Sequence, residues 1–258
     1  MFDLPLIIVG PAIILPLGIL AIGGLILFRR RFQPQLRYGE HDAHFSATMV
    51  ASIMVFYGLA MALIAVHVWV TFEDVSRIVS HEAATLGTLY RNVSEYPEPE
   101  RGTMQAGLRE YVEHMIRDVW PEQHKGKIPN AGIERMDRFQ AVLMHFEPSH
   151  EAQKLLAAET LRAYDEMIGA RRLRLDAVET HLPGVMWAVI VIGAVISIFS
   201  SYFFPVRDAR LQATQIGLLA VFMGLVIFLI VALDRPFRGE LGIPSTAYQI
   251  VYEQLMTP

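Results

Sequence analysis

No cysteine occurs in the 258 residues, which excludes disulfides, thiolate metal sites, iron–sulfur clusters and thiol nucleophiles. Charge is scarce as well. Asp, Glu, Lys and Arg make up 19% of the chain against 53% hydrophobic residues, and the mean hydropathy is +0.36. That balance lies outside the range of soluble domains. The formal net charge of −4 and the lack of a basic stripe exclude a nucleic-acid surface. Also missing are a P-loop, a nucleophile elbow, an HExxH pair and a dinucleotide-binding glycine fingerprint, so no enzyme activity and no cofactor is expected.

What the chain does have is apolar runs. A bilayer core about 30 Å thick needs about 20 apolar residues at about 1.5 Å each. Four stretches meet this without a single Asp, Glu, Lys or Arg: Leu4 to Phe28, Thr48 to Phe72, Gly184 to Phe204 and Ala213 to Leu233. The first has no basic residue before Arg29 and is too long for a signal-peptide core, so it reads as a retained span. Its Pro11, Pro16, Gly18, Gly23 and Gly24 admit two readings, a hinge facing a pore or close packing through small residues.

Between Glu73 and Pro183 the character changes to 19 acids and 14 bases. Apolar residues recur there at helical spacing in four stretches: Val75 to Val93, Met104 to Val119, Met136 to Phe146, and Leu155 to Val178. The breaks YPEPERG, WPEQHKGKIPNAG and EPSH carry helix-punctuating residues. The expected fold is thus an all-α membrane protein, with four transmembrane helices and a helical, water-facing domain inserted between the second and third. Its divisions are 1–72, 73–183, 184–233 and a tail, 234–258.

The first and fourth stretches are expected to prolong the second and third spans as an antiparallel pair. Glu82 lies ten residues after Phe72 and Arg174 ten before Gly184, so each would stand about 15 Å beyond the membrane. Glu82 with Arg171 or Arg174 is therefore the candidate structural ion pair, solvated surface charge being the alternative. In the second span Phe56 and Tyr57 are the aromatic candidates for a pore constriction. After the fourth span, LDRPFRGELGIP reads either as an interfacial stop with snorkelling arginines or as an ion entrance, where Arg235 and Arg238 concentrate anions.

Histidines are weak metal candidates. His67 has no partner in another span, and His41 and His44 flank Asp42 in a short loop. His81 with Glu82, set across from Glu179 with His181, reads as an ordinary polar surface. No metal site is expected. Orientation follows the arginines: Arg29, Arg30, Arg31 and Arg37 in one short loop and Arg207 and Arg210 in the other put both loops in the cytoplasm. The termini and the helical insertion then lie outside.

LDRPFRGELGIP, the segment WVTFEDVSRIVSHEAATLGTLYRNVSEYPEPERG and the later REYVEHMIRDVWP resemble the bestrophin-like domain family of bacterial membrane proteins. The resemblance runs from about the second span to about Pro244. It matches Glu82 and Ala83 to the family's acid–alanine pair, Trp120 and Pro121 to its tryptophan–proline step, and Asp234, Pro236, Phe237 and Gly239 to its terminal motif. It implies kinship with pentameric anion channels. A homo-oligomeric channel for small inorganic ions in a bacterial inner membrane is the first expectation. A membrane-anchored sensory or scaffold protein acting through the helical insertion is the second.

Overall fold

A computed structural model describes residues 5–32, 40–127, 133–204, 206 and 208–257, with side chains described for all but 40–43 and 133. Arg37, Arg207 and the side chains of His41 and Asp42 lie outside the described residues. Every regular element among the described residues is a helix. In chain order the α-helices are α1 (Leu6–Arg31), α2 (Glu40–Ser94), α3 (Glu100–His114), α4 (Trp120–His124), α5 (Ile133–His145), α6 (Glu151–Ala177), α7 (Gly184–Ser201), α8 (Ala209–Leu233) and α9 (Thr246–Val251). Two π-helical segments, Met115–Val119 and Tyr252–Met256, follow α3 and α9.

Helices α1, α2, α7 and α8 are long and apolar enough to cross a membrane, as a multi-pass protein requires. The spans expected from Thr48 and from Ala213 fall within α2 and α8; the first starts at Leu4, outside the described residues and before α1 begins at Leu6, and α7 ends at Ser201, short of Phe204. α2 is one unbroken helix of 55 residues, so the first helical stretch after the second span does prolong it. The fourth stretch does not run on into the third span. α6 ends at Ala177, and α7 begins only after Pro183, whose backbone is extended at φ −56° and ψ 144°. Proline lacks an N–H and disfavours helix in the residue before it. The Leu182 N–H, left out of any helix, donates to Asp234 Oδ1 at 2.6 Å.

The chain divides into two compact units. The first comprises Met1–Thr71 and His181–Asp234, the second Phe72–Thr180 and Arg235–Pro258. In the first unit α1 lies along α8, and Ala21, Leu25 and Phe28 pack with Ile198, Tyr202, Ile216 and Ala220. α1 continues through Pro11 and Pro16 without a break. Gly24 accommodates the Tyr202 ring, and Gly224 lets the Ile14 backbone approach, which is close packing through small residues. Gly18, Gly23 and Gly58 meet nothing within 4 Å.

Two tyrosines tie the spans together through backbone carbonyls. Tyr202 Oη donates to Ala21 O at 2.8 Å, and Tyr57 Oη donates to Ile190 O at 3.0 Å, its ring lying where Gly193 has no side chain. Tyr57→Phe is expected to lower stability by about 0.6 kcal/mol, the mean for polar pairs between membrane helices. Unfolding in mixed micelles measures it, and an unchanged midpoint would remove this bond from the account.

The second unit is built on the stripe Val75, Val79, Leu86, Leu89 and Val93 of α2, against which Leu108, Phe139, Met167 and Tyr248 pack. Burial of such side chains stabilises by about 1.5–3 kcal/mol each. On α6 the buried stripe is Thr160, Ala163, Tyr164, Met167, Ala170, Arg171, Arg174 and Ala177. Leu155, read from the sequence as a core position, is 68% exposed.

Candidate functional site

The most buried charges of the second unit sit on facing helices. α2 carries Glu82 and α6 carries Arg174, both 0% exposed. Arg174 Nε donates to Glu82 Oε2 at 2.6 Å and Nη2 to Oε1 at 3.4 Å, a forked pairing that suits guanidinium and carboxylate geometry. Tyr111 of α3 donates to Glu82 Oε1 at 3.4 Å, and Arg174 Nη2 also meets Met115 Sδ at 3.8 Å. Arg171, one turn before Arg174, is 8% exposed and pairs with no carboxylate among the described residues.

The guanidinium of Arg174 lies 5.7 Å from the Trp120 ring centre, within the range of a cation–π contact. Trp120 in turn packs against Phe237 at 5.8 Å and Tyr248 at 5.2 Å between ring centres, and its indole Nε1–H donates to Ile243 O at 2.9 Å. The π-helical turn Met115–Val119 immediately precedes Trp120. Such a turn inserts an extra residue into the helix and rotates the side chains beyond it, often at functional sites.

The segment after α8 folds into a tight turn that presents Phe237. Ile243 N donates to Pro236 O at 2.8 Å, and Gly242 N to Gly239 O at 3.1 Å. Gly239 takes φ 75°, a left-handed conformation that favours glycine. Arg238 Nη2 reaches Gly126 O at 3.5 Å, so its side chain is laid over the turn ending α4.

The three motifs that carry the family resemblance thus meet within the second unit. Glu82 binds the arginine, the arginine lies beside Trp120, and Trp120 packs edge-to-face against Phe237. The bestrophin-like domain model matches residues 17–248. The chain belongs to the bestrophin-like domain family. Comparison with curated proteins and with solved structures gives no match. In this bestrophin-like chain each of these separated segments supplies one part of a single buried cluster.

Burial shapes the titration of this bestrophin-like core. Desolvation raises the Tyr248 phenol well above its usual value, and the Glu82 carboxylate pushes it the same way. Tyr111 is raised by the same two causes in the same order. Burial disfavours the Arg174 charge, but Tyr248, Glu82 and Tyr111 more than offset this and hold its pKa above the ordinary value. The Tyr248 hydroxyl, though close enough to Glu82 to feel it, completes no hydrogen bond of ordinary geometry.

These shifts make stability depend on pH. The folded state keeps both phenols protonated where the unfolded chain ionises them, near the ordinary tyrosine value of 10.0. Their contribution is full below that pH and is lost as pH rises toward the folded values. Thermal unfolding between pH 8 and 11 should show a falling midpoint, and Tyr248→Phe should flatten part of the fall. An identical alkaline slope in the variant would count against the assignment.

The other residues singled out in the sequence lie apart from this cluster. Phe56 points outward, 73% exposed, while its neighbour Tyr57 turns toward α7. An apolar groove of about 380 Å³ lies between α2 and α8, lined by Met54, Tyr57, Met61, Leu219 and Phe222 among others. His81 Nε2 stands 3.6 Å from Glu166, both exposed. Among the described residues no three His, Asp or Glu converge as metal ligands would. Tyr111 and Tyr248 are site residues that the sequence did not single out. Tyr111 was legible only as a core position of the apolar stretch Met104 to Val119, and nothing hinted at Tyr248.

Proposed function

We propose that this protein is one subunit of a homo-oligomeric channel for small inorganic anions in a bacterial cytoplasmic membrane, acting without catalysis or a cofactor. The observation that carries the reading is the uncovered face of α2. Only 11% of its most apolar stretch is buried within the chain, and Phe56, Leu59, Leu63 and Val66 face outward, each more than half exposed. Family membership supports placing this face in a ring, pentameric if it follows the bestrophins. The second span of each copy then lines an axial path with Phe56 at a hydrophobic constriction, which gates by dewetting, while Tyr57, turned toward α7, braces α2 from behind. Arg235 and Arg238 concentrate anions at the interface. The helical region 73–183, inserted between the second and third spans, faces water, and the arginine bias puts it and the termini outside the cytoplasm.

Imaging the purified protein in lipid nanodiscs is the first test. A ring with an axial opening is the expected result, followed by unitary currents that grow in Phe56→Ala. A monomer, or silence under all voltages with a ring present, would overturn conduction. The second reading is a membrane-anchored sensory or scaffold protein acting through the second unit. It is favoured by the buried Glu82–Arg174 network, which a passive pore wall does not require, and a monomer that retains a fixed protein partner would select it.

A further inference from the structure

We infer that the second unit binds a small monovalent inorganic anion beside Arg171 and Arg174. These two arginines are three residues apart on α6, hence on one face, and both are at least nine-tenths buried. Among the described residues the cluster holds a single carboxylate, Glu82. Both of its oxygens are already engaged, Oε2 by Arg174 Nε and Oε1 by Arg174 Nη2 and Tyr111. Two buried guanidiniums thus accompany one carboxylate among the described residues, and the charge of Arg171 has no carboxylate partner there. Burying an uncompensated charge is among the costliest arrangements a protein interior can contain.

The idle hydrogen-bonding atoms point the same way. Arg171 Nε and Arg174 Nη1 are both shut off from solvent and lack a hydrogen-bond partner among the described residues. Both can only donate. A water molecule could accept from them but would leave the surplus positive charge in place. An anion brings only lone pairs and supplies the missing negative charge as well. A single surplus charge matches a halide or nitrate. Access is by way of Arg171, whose Nε is closed off while the residue keeps 8% exposure, so exchange does not require the unit to unfold. The site uses residues of the second unit alone and holds whether or not the protein conducts.

The test uses the full-length protein in detergent. Thermal unfolding is followed in bromide and in gluconate at equal ionic strength, for wild type and Arg171→Gln. A ligand that binds only the folded state raises the midpoint with its logarithmic concentration once sites fill. The wild type should gain several degrees per tenfold rise in bromide relative to gluconate, and Arg171→Gln should lose that gain. Diffraction at the bromine edge should place an anomalous peak within hydrogen-bonding reach of Arg171 Nε in the wild-type protein, a readout that stands even if the variant misfolds. Equal midpoints in the two salts, or a bromide response retained in Arg171→Gln, would overturn the site. A peak without any midpoint response would mean an adventitious ion only, and would overturn it equally.

Discussion

Arg174→Met is expected to destabilise the second unit by about 3–5 kcal/mol, the usual consequence of removing one partner from a buried pair. The variant leaves the Glu82 carboxylate fully enclosed without its arginine, beside neutral phenols such as Tyr111 at 3.4 Å, and it strips Trp120 of its cation. The informative comparison is the double variant Arg174→Met with Glu82→Leu. Two apolar side chains of similar volume need no desolvation offset, and such replacements are often neutral or stabilising. The double variant should therefore recover most of the loss, with a coupling well above the 0–1 kcal/mol of exposed pairs such as Arg77 with Glu73. Chemical unfolding monitored by tryptophan fluorescence measures all four corners of the cycle. Additive losses would mean that the two side chains are not energetically coupled despite their contact.

Trp120→Ala should cost a similar amount, about 3–5 kcal/mol, from the lost burial and the cavity left behind. The reason is its position between layers: the arginine on one side, Phe237 and Tyr248 on the other, and the Ile243 carbonyl at the indole nitrogen. Trp120→Phe separates these contributions. It keeps most of the apolar volume but leaves a buried carbonyl without its donor, an expected loss of about 1–3 kcal/mol. If Trp120→Phe proves as damaging as Trp120→Ala, the hydrogen bond outweighs the packing. If both variants unfold at the wild-type midpoint, the cluster does not hold the unit together.

The membrane helices were legible because the physics is one-dimensional: a charge-free run of sufficient length is both necessary and nearly diagnostic. The α2 stripe from Val75 to Val93 was legible for a related reason, since its apolar residues follow the helical period and all are buried. α6 was harder. Its buried face combines Tyr164 and Met167 with alanines, Thr160 and two arginines, so apolar spacing located it only in part: Tyr164 is buried and Leu161 and Ile168 pack against the core, but Leu155 is 68% exposed. The pairing of Glu82 with Arg174 could be reached by counting residues from the spans, although that count assumed that α6 prolongs the third span, and Pro183 breaks the path between them.

The tail was legible only as the family's terminal motif. LDRPFRGELGIP read as an interfacial stop or an ion entrance, yet residues 235–258 deliver Phe237, Ile243 and Tyr248 to the core of the second unit. No periodicity announces this, because the contacts come from a glycine-pinned turn and a helix of only six residues. Their partners, Trp120 and Glu82, lie more than a hundred residues earlier.

That long separation has a consequence for synthesis. The ribosome completes Phe72–Thr180 well before it makes Arg235–Pro258, and all of His181–Asp234 must emerge and enter the bilayer in between. At about 5–20 residues per second, the unfinished unit waits for several seconds with the face of Trp120 uncovered and the Ile243 acceptor not yet made. During that interval its sticky aromatic surface is a target for chaperones and proteases, and a stalled or truncated nascent chain would be held in that vulnerable state indefinitely.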